Sequence, residues 1–338
     1  VSLFAVSLVL AGCGSDDDGG SEASGATTEA ESASTDGAEA GGGETTEAAA
    51  EGEMPEKITF AAVPSEESTA LQESYGPIIA AIEQELGVEV EFVQAADYAG
   101  VIEGMIAGNV DLAQFGPFAY VLAKQNGADI DPIGAMVDSE GAEPGYQSYG
   151  ITRADNADID GLEDFAGKNV CFVDPSSTSG FLYPTAGLID AGIITSAAEA
   201  DLSAGLNPIF AGGHDASALS VASGDCDAGF AFDSMVDKEL IEAGSLAEGD
   251  LKVVWKSEVI AGSPMAVSLA LPEAFRTELQ TLLIEQINLP GLVALGVCDS
   301  EDACGITDED AWGYAEVDDS FFDGVRAVCT ATKSDKCQ

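Results

Sequence analysis

An α/β fold of two lobes, each a mostly parallel sheet flanked by helices, is what this sequence predicts, closing as a clamshell. Three observations predict it. Short runs rich in Val, Ile and Phe alternate with helical stretches through most of the chain, the pattern of strands laid parallel through helical crossovers. The alternation is interrupted near residues 145–152 and then begins again as a second unit. After that unit, apolar runs at 252–256 and 265–271 lead back toward the first.

The elements follow in order. Ile58–Val63 reads as a buried strand, Thr69–Leu86 as a helical stretch and Val88–Val93 as a strand. Tyr98–Ile106 is predicted helical, and Asp111–Gly116 and Asp131–Val137 are predicted strands. An acidic, Gly-rich turn at 138–145 follows. The second unit has a short helix near Leu162, strand Asn169–Val173 and a helix from about Thr178. Strand Pro208–Ala211, helix Ala216–Ala222 and strand Asp227–Phe232 complete it. Strands Lys252–Lys256 and Met265–Leu271, a helix over Glu273–Ile287 and an irregular tail bearing four cysteines end the chain. The first lobe is expected at about 57–148 and 250–338, the second at about 149–249. A ligand would lie in the crevice between them, at the strand ends.

Before Lys57 the chain is of another kind. Residues 1–12 form an apolar run too short to span a bilayer, similar to the hydrophobic part of a signal peptide. With no initiating Met and no basic residues before it, the N-terminus reads as incomplete. Leu10-Ala11-Gly12-Cys13 resembles a lipobox, which makes Cys13 the expected lipidation site. Residues 13–56 are Gly, Ser, Thr, Ala and acids, with almost nothing apolar to bury, and read as a disordered, charge-extended tether. The reading is an extracytoplasmic protein anchored to the cell membrane by its N-terminal lipid.

Charge narrows the function further. The chain holds 61 acids against 11 bases, a net charge of −50. Thirteen of those acids precede Lys57, the first base. Such a chain is repelled by nucleic acid, because phosphate-backbone binding relies on Lys and Arg, and equally by anionic lipid surfaces. No C-x-x-C pair or His-rich cluster points to a metal, and no cofactor is expected. The six cysteines after Cys13 fit an oxidising compartment. Cys298–Cys304 and Cys329–Cys337 are expected as local clips, and Cys171–Cys226 as a bridge between neighbouring strands.

The segment that carries chemistry is Asp174-Pro175-Ser176-Ser177-Thr178-Ser179-Gly180, between a predicted strand and a predicted helix. Its hydroxyls suit helix capping and donation to a ligand. The helix start adds unpaired N–H groups and partial positive charge, so the segment suits an anion without help from bases. An ordinary Ser/Thr helix cap is the plainer reading of such a run taken alone.

Further blocks accompany it. They are Asp97–Met105, Asp111–Gly116, Pro144-Gly145-Tyr146, Asp174–Phe181, Ala211–Leu219 with its Gly-His, and Val253–Ser257 with Gly262-Ser263-Pro264. In this order they resemble the periplasmic phosphonate-binding proteins of ABC importers. The resemblance runs over roughly residues 57–290 and stops there. It implies the type II periplasmic-binding clamshell and no enzymatic activity. Ser177, Thr178 and Ser179 would hold the oxyanion through hydroxyl and backbone donors. Tyr98 would donate from the first lobe, beside the strand-end turn at Phe115 and Gly116. His214, the only histidine, would complete the oxyanion shell. A lone histidine and an Asp before Ser234 also have plain structural readings, in the core and as a helix cap.

Two departures bear on the ligand. Phe115 stands where such proteins commonly offer a second Tyr, and it cannot donate. Where aminoethylphosphonate binders place two carboxylates, this chain offers Asp233 and Ser263. Asp233, as an acceptor, favours an oxyanion that still carries a proton. The expected ligand is a phosphonate, phosphite or phosphate, delivered by a monomer to an ABC permease after hinge closure. A ligand-sensing or other small-molecule-binding protein of the same fold is the second reading. An extracytoplasmic hydrolase is the third, and no G-x-S-x-G elbow supports it.

Overall fold

The computed structural model describes residues 54–338 apart from 67, 308, 310 and 338. The predicted leader 1–12, the lipidation site Cys13 and nearly all of the 13–56 tether lie outside the described residues. The first passage of the chain builds β1 (Lys57–Ala62), α1 (Ser68–Ser74), α2 (Gly76–Leu86), β2 (Glu89–Phe92), α3 (Tyr98–Ile106), β3 (Leu112–Gln114), α4 (Pro117–Gln125) and β4 (Ile130–Val137). β5 (Gly145–Tyr146) leads into a second group. This holds β6 (Ser148–Arg153), β7 (Asn169–Phe172), α5 (Tyr183–Asp190), α6 (Glu199–Gly205), β8 (Asn207–Phe210), α7 (His214–Ser223), β9 (Ala228–Phe232), α8 (Leu240–Glu242) and β10 (Leu251–Lys256). β11 (Ile260–Ala261) returns the chain to β12 (Pro264–Ser268), α9 (Glu273–Glu285), α10 (Leu289–Ala294), β13 (Gly313–Ala315) and α11 (Asp323–Thr332).

Among the described residues the strands form a six-stranded sheet in the order β13-β4-β12-β3-β1-β2 and a five-stranded sheet in the order β10-β6-β9-β7-β8. A two-stranded pair, β11-β5, stands where the chain crosses between them. Parallel pairing is confined to β2-β1-β3 and β8-β7-β9, where helical crossovers join the strands. The returning strands pair antiparallel. β10 lies against β6 in the second sheet, with Leu251 opposite Arg153. The passage back to the first lobe therefore falls after Lys256 and not near residue 250, because the apolar run 251–256 finds its ladder partner in β6.

Three sequence expectations change for identifiable reasons. The helical stretch over 69–86 is two helices parted at Tyr75, since Pro77, in the first turn of α2, has no N–H to continue the ladder of α1. α4 escapes a periodicity reading because Pro117–Ala123 are all buried, leaving no polar face to mark it. The tail is ordered, not irregular. β13 pairs with β4 as the edge of the first sheet, and α11 packs through Val325 and Cys329 into the core.

That core is continuous across the lobes. One apolar cluster holds Ala61, Tyr98, Phe115 and Phe118 from the first lobe together with Val173, Leu182 and Tyr183 from the second. The two tryptophans fall on opposite sides. Trp255 on β10 lies edge-on to Phe230, and the Trp312 amide donates to the Val137 carbonyl at 2.7 Å, beside the first sheet.

The disulfides Cys171–Cys226, Cys298–Cys304 and Cys329–Cys337 are all formed. Cys171 lies on β7 and Cys226 in the turn two residues before β9, both buried. This bridge closes the longest loop of the three, 55 residues. Replacing both cysteines by Ser should lower the unfolding free energy by about 4 kcal/mol on the chain-entropy scale. Urea unfolding of the double variant checks this, and an unchanged midpoint would assign the bridge no role in stability.

Candidate functional site

The turns that follow β1, β3, β7, β8 and β9 all open toward the junction of the lobes, at the carboxyl ends of the strands where open α/β sheets place their ligands. From the first lobe come Val63–Glu66 and Phe115–Gly116. From the second come Asp174–Ser177, Ala211–Gly213 and Asp233.

Two helix starts meet there. Gly116 caps α4 in extended conformation, and the Phe118 N–H one turn-step later donates to Thr178 Oγ1 at 2.8 Å. Thr178 begins the second helix, whose first turn is a π-turn over Thr178–Leu182 before α5. Each helix start carries about half a positive charge. Turned toward one another they repel, and an anion between them removes the repulsion. A Cβ at Gly116 would sit 3.3 Å from Thr178 Oγ1, so the glycine permits this approach. Gly180 is equally constrained, because a Cβ there would overlap the Val173 side chain. The α7 start is also tied across the cleft, its His214 N–H donating to the Ser65 carbonyl at 2.7 Å.

Ser177 caps the 178–190 helix, its Oγ accepting from Gly180 N–H at 3.0 Å. It also meets His214 Nε2 at 3.3 Å. On the other side of the ring, Nδ1 accepts the Phe232 N–H at 3.2 Å, which leaves the ring proton on Nε2 and makes it the donor to Ser177. Burial drives the His214 pKa down to about 3, so the ring is neutral at any ordinary pH. Both ring nitrogens are thus engaged inside the protein, and His214 lies behind Ser177. Ser177 Oγ, accepting twice, keeps its own O–H to give.

Tyr146 extends the hydroxyl set. Its phenol lies beside the Ser179 and Thr178 side chains. Burial first, and then the nearby charge of Glu309, push its pKa well above that of a free phenol. It therefore stays protonated and lines a cavity of about 330 Å³ together with Asp233, Ser263, Asp237 and Glu309. Asp233 is fixed there by the Gln147 N–H on Oδ2 at 3.1 Å and the Ser234 N–H on Oδ1 at 3.2 Å. Its pKa lies above the ordinary carboxylate value, chiefly through burial. Ser263 donates to Glu309 Oε1 at 2.8 Å. A carboxylate thus stands next to position 263 after all, brought there by the tail.

The structure brings Gly116, Ser177, Thr178, Ser179 and His214 together and sets Asp233 on the cavity that Tyr146 joins to them. It does not do so for Phe115, which is fully buried and packs against Tyr120 in the core of the first lobe. Tyr98 opens α3 behind the Asp97 cap and lies buried in the same apolar cluster as Phe118 and Val173. Sequence reasoning missed the site roles of Tyr146 and Glu309. Tyr146 carried a signal, since it sits in the Pro144-Gly145-Tyr146 block at the lobe crossing. Glu309 carried none, being one acid in an acidic tail.

Two α/β lobes whose strand-end turns converge on a cluster of hydroxyls, with a cavity beside it, have the architecture of a solute-binding protein. Residues 60–286 match the family described as ABC transporter, phosphonate, periplasmic substrate-binding protein, and the chain belongs to that family. As such it is the extracytoplasmic binding component of an importer. It is 59% identical over 289 residues to the phosphate-import protein PhnD of Mycolicibacterium smegmatis, covering 86% of this chain and 89% of that one. It is 30% identical over 231 residues to the phosphonates-binding periplasmic protein of Escherichia coli, covering 67% and 65%. Its fold matches a binding protein component of an ABC phosphonate transporter from Pseudomonas aeruginosa with a TM-score of 0.68 at 25% identity, covering 82% and 86% of the two chains.

The depressed His214 pKa makes a pH prediction. Between its ordinary value of 6.5 and about 3 the unfolded chain binds a proton that the fold refuses, so stability is lost as pH falls through that window. His214→Gln keeps a donor and an acceptor but does not titrate. From pH 7 to pH 5, urea unfolding should cost the parent about 2 kcal/mol more than the variant. Parallel losses in the two proteins would contradict the buried neutral ring.

Proposed function

We propose that this chain captures a phosphorus oxyanion (phosphate, phosphite or a small phosphonate) in the interlobe cleft and presents it to an ABC permease. The observation that carries the reading is the meeting of the α4 and 178–190 helix starts over Thr178, with Ser177, Ser179 and Tyr146 as hydroxyl donors around it. Donors of this kind bind an anion in a strongly acidic protein without a salt bridge. The names of the relatives, one phosphate-import and one phosphonates-binding, support the same ligand class.

Selectivity comes from the acceptors. Asp233 and Glu309 take hydrogen bonds and give none when ionised, so they favour a ligand oxygen or substituent that carries a proton. Hydrogen phosphate meets that condition and sulfate does not. Around this site the domain is a two-lobed clamshell, monomeric, with lobe 2 spanning about 148–256, and it closes about the β5–β11 crossing. The leader at 1–12 directs export and is removed, and lipid on Cys13 with the acidic tether to residue 56 holds the domain at the membrane surface. Tyr98 contributes from the first lobe by supporting the cleft wall.

A thermal-shift panel tests the ligand. At a hundredfold excess over Kd, phosphate and phosphite should raise Tm by about 5 °C, and sulfate should not. Asp233→Asn and Glu309→Gln should narrow the gap between phosphate and sulfate. A panel in which no phosphorus oxyanion moves Tm would overturn the ligand class. One in which sulfate matches phosphate would overturn the selectivity.

Thr178→Val removes the hydroxyl that joins the lobes while keeping the side-chain volume. Calorimetric titration should show phosphate affinity lower by roughly tenfold to a hundredfold, the worth of a hydrogen bond to a charged group. Unchanged affinity would place the anion elsewhere.

A further inference from the structure

The C-terminal segment beyond the family match reaches the oxyanion turn. α11 is fastened to the first lobe through Asp319, which takes the Tyr120 hydroxyl at 2.6 Å and Arg326 Nη2 at 2.7 Å. At its end the chain reverses at Lys333, in left-handed conformation, and the Cys329–Cys337 bridge closes the reversal into a hook. The hook is docked on the second lobe, where the Thr332 carbonyl accepts the Ala197 N–H at 2.9 Å. Inside it, the Cys337 N–H returns to the Ser334 carbonyl at 3.0 Å. From this frame Lys336 Nζ donates to Ser176 Oγ at 3.0 Å, and Ser176 is buried one residue before Ser177.

The contact answers an electrostatic problem within the turn. Asp174 shapes it by accepting the Ser176 N–H on Oδ1 at 2.6 Å, and its carbonyl accepts the Ser177 N–H at 2.9 Å. That carboxylate also sets a negative charge beside a site meant for an anion. Burial raises its pKa, and the Ser176 N–H and attraction to Lys336 act in the opposite direction. The other charged groups facing this corner are Asp97, Glu103 and Asp335, all acidic. Among the described residues lining this corner, Lys336 is the cation.

We propose that Lys336, presented by the disulfide-closed C-terminal hook, is a positioning residue for the oxyanion turn: it locks Ser176 and offsets the charge of Asp174, so that the turn accepts an anion. The ligand part of this rests on the function proposed above; the ordering of the turn does not. The hook reaches both lobes, so it also couples the turn to the first lobe through α11. Opening the disulfide by reduction releases Lys336 and weakens the site without touching any residue in it.

Two measurements on the full chain test it. The first is the Kd for inorganic phosphate in the parent, Lys336→Gln, Lys336→Arg and the Lys336→Gln/Asp174→Asn pair, at low and at high salt. The Gln variant should bind about tenfold more weakly at low salt, as one partly screened charge predicts, and the gap should shrink at high salt. Arg should restore binding, and Asp174→Asn should recover most of the loss, because the charge to be offset is gone. The second is hydrogen exchange of the Ser176–Gly180 amides without ligand, in the parent, Lys336→Gln and the Cys329→Ser/Cys337→Ser pair. Both variants should exchange faster in that segment. Faster exchange with no phosphate binding by the parent would sustain the positioning role and sink the ligand reading instead. Unchanged exchange, or a binding loss that is independent of salt and not restored by Arg, would overturn the proposal.

Discussion

Two positive helix ends facing each other across a cleft set the terms for the whole molecule. Left alone, the α4 start and the 178–190 start oppose closure; with negative charge between them they favour it. Thr178 Oγ1 already takes one N–H of the first helix, which places a hydroxyl where the two fields add. The neighbouring sequence is arranged to keep that geometry. Gly116 clears space for the hydroxyl, Gly180 lets the helix begin against Val173, and Ser177 is held from behind by a neutral histidine. None of these residues is charged. The positive potential at the two helix starts comes from backbone orientation, in a chain whose side chains are overwhelmingly acidic.

Much of this was legible in the sequence because it is local. A strand, a Pro-Ser-Ser-Thr-Ser-Gly turn and a helix are consecutive, and β7, the turn and the 178–190 helix occur where they were read. The disulfides were legible too, since two join cysteines only 6 and 8 residues apart. What the sequence hid is tertiary. Whether β10 belongs to one sheet or the other depends on β6, about a hundred residues away. Glu309 enters the cavity only because β13 seals the edge of the first sheet and carries the preceding loop with it. His214 was read as a ligand donor, but its role depends on a backbone N–H from β9 that fixes the ring's tautomer. Phe115 stands at a family site position, but its side chain packs in the core.

The same tertiary effects explain how the tail changes the ligand question. By position 263 alone, the chain has one carboxylate fewer than an aminoethylphosphonate binder. In three dimensions Glu309 stands beside Ser263 and restores an acceptor from a different part of the chain. Counting donors and acceptors along the family region therefore undercounts this site. The residues that tune it lie partly in a segment with its own disulfides, beyond the residues 60–286 that match the family.

One modest feature of the fold has a practical consequence. The chain has two tryptophans, and the crossing at β5 and β11 separates them: Trp255 travels with the second sheet and Trp312 with the first. Trp255 packs on Phe230, and Trp312 follows Ala311, which lines the cavity. Each sheet thus has a single indole beside it, in a distinct environment. Replacing either indole by Phe leaves a single emitter, which reports on the surroundings of the sheet that keeps it.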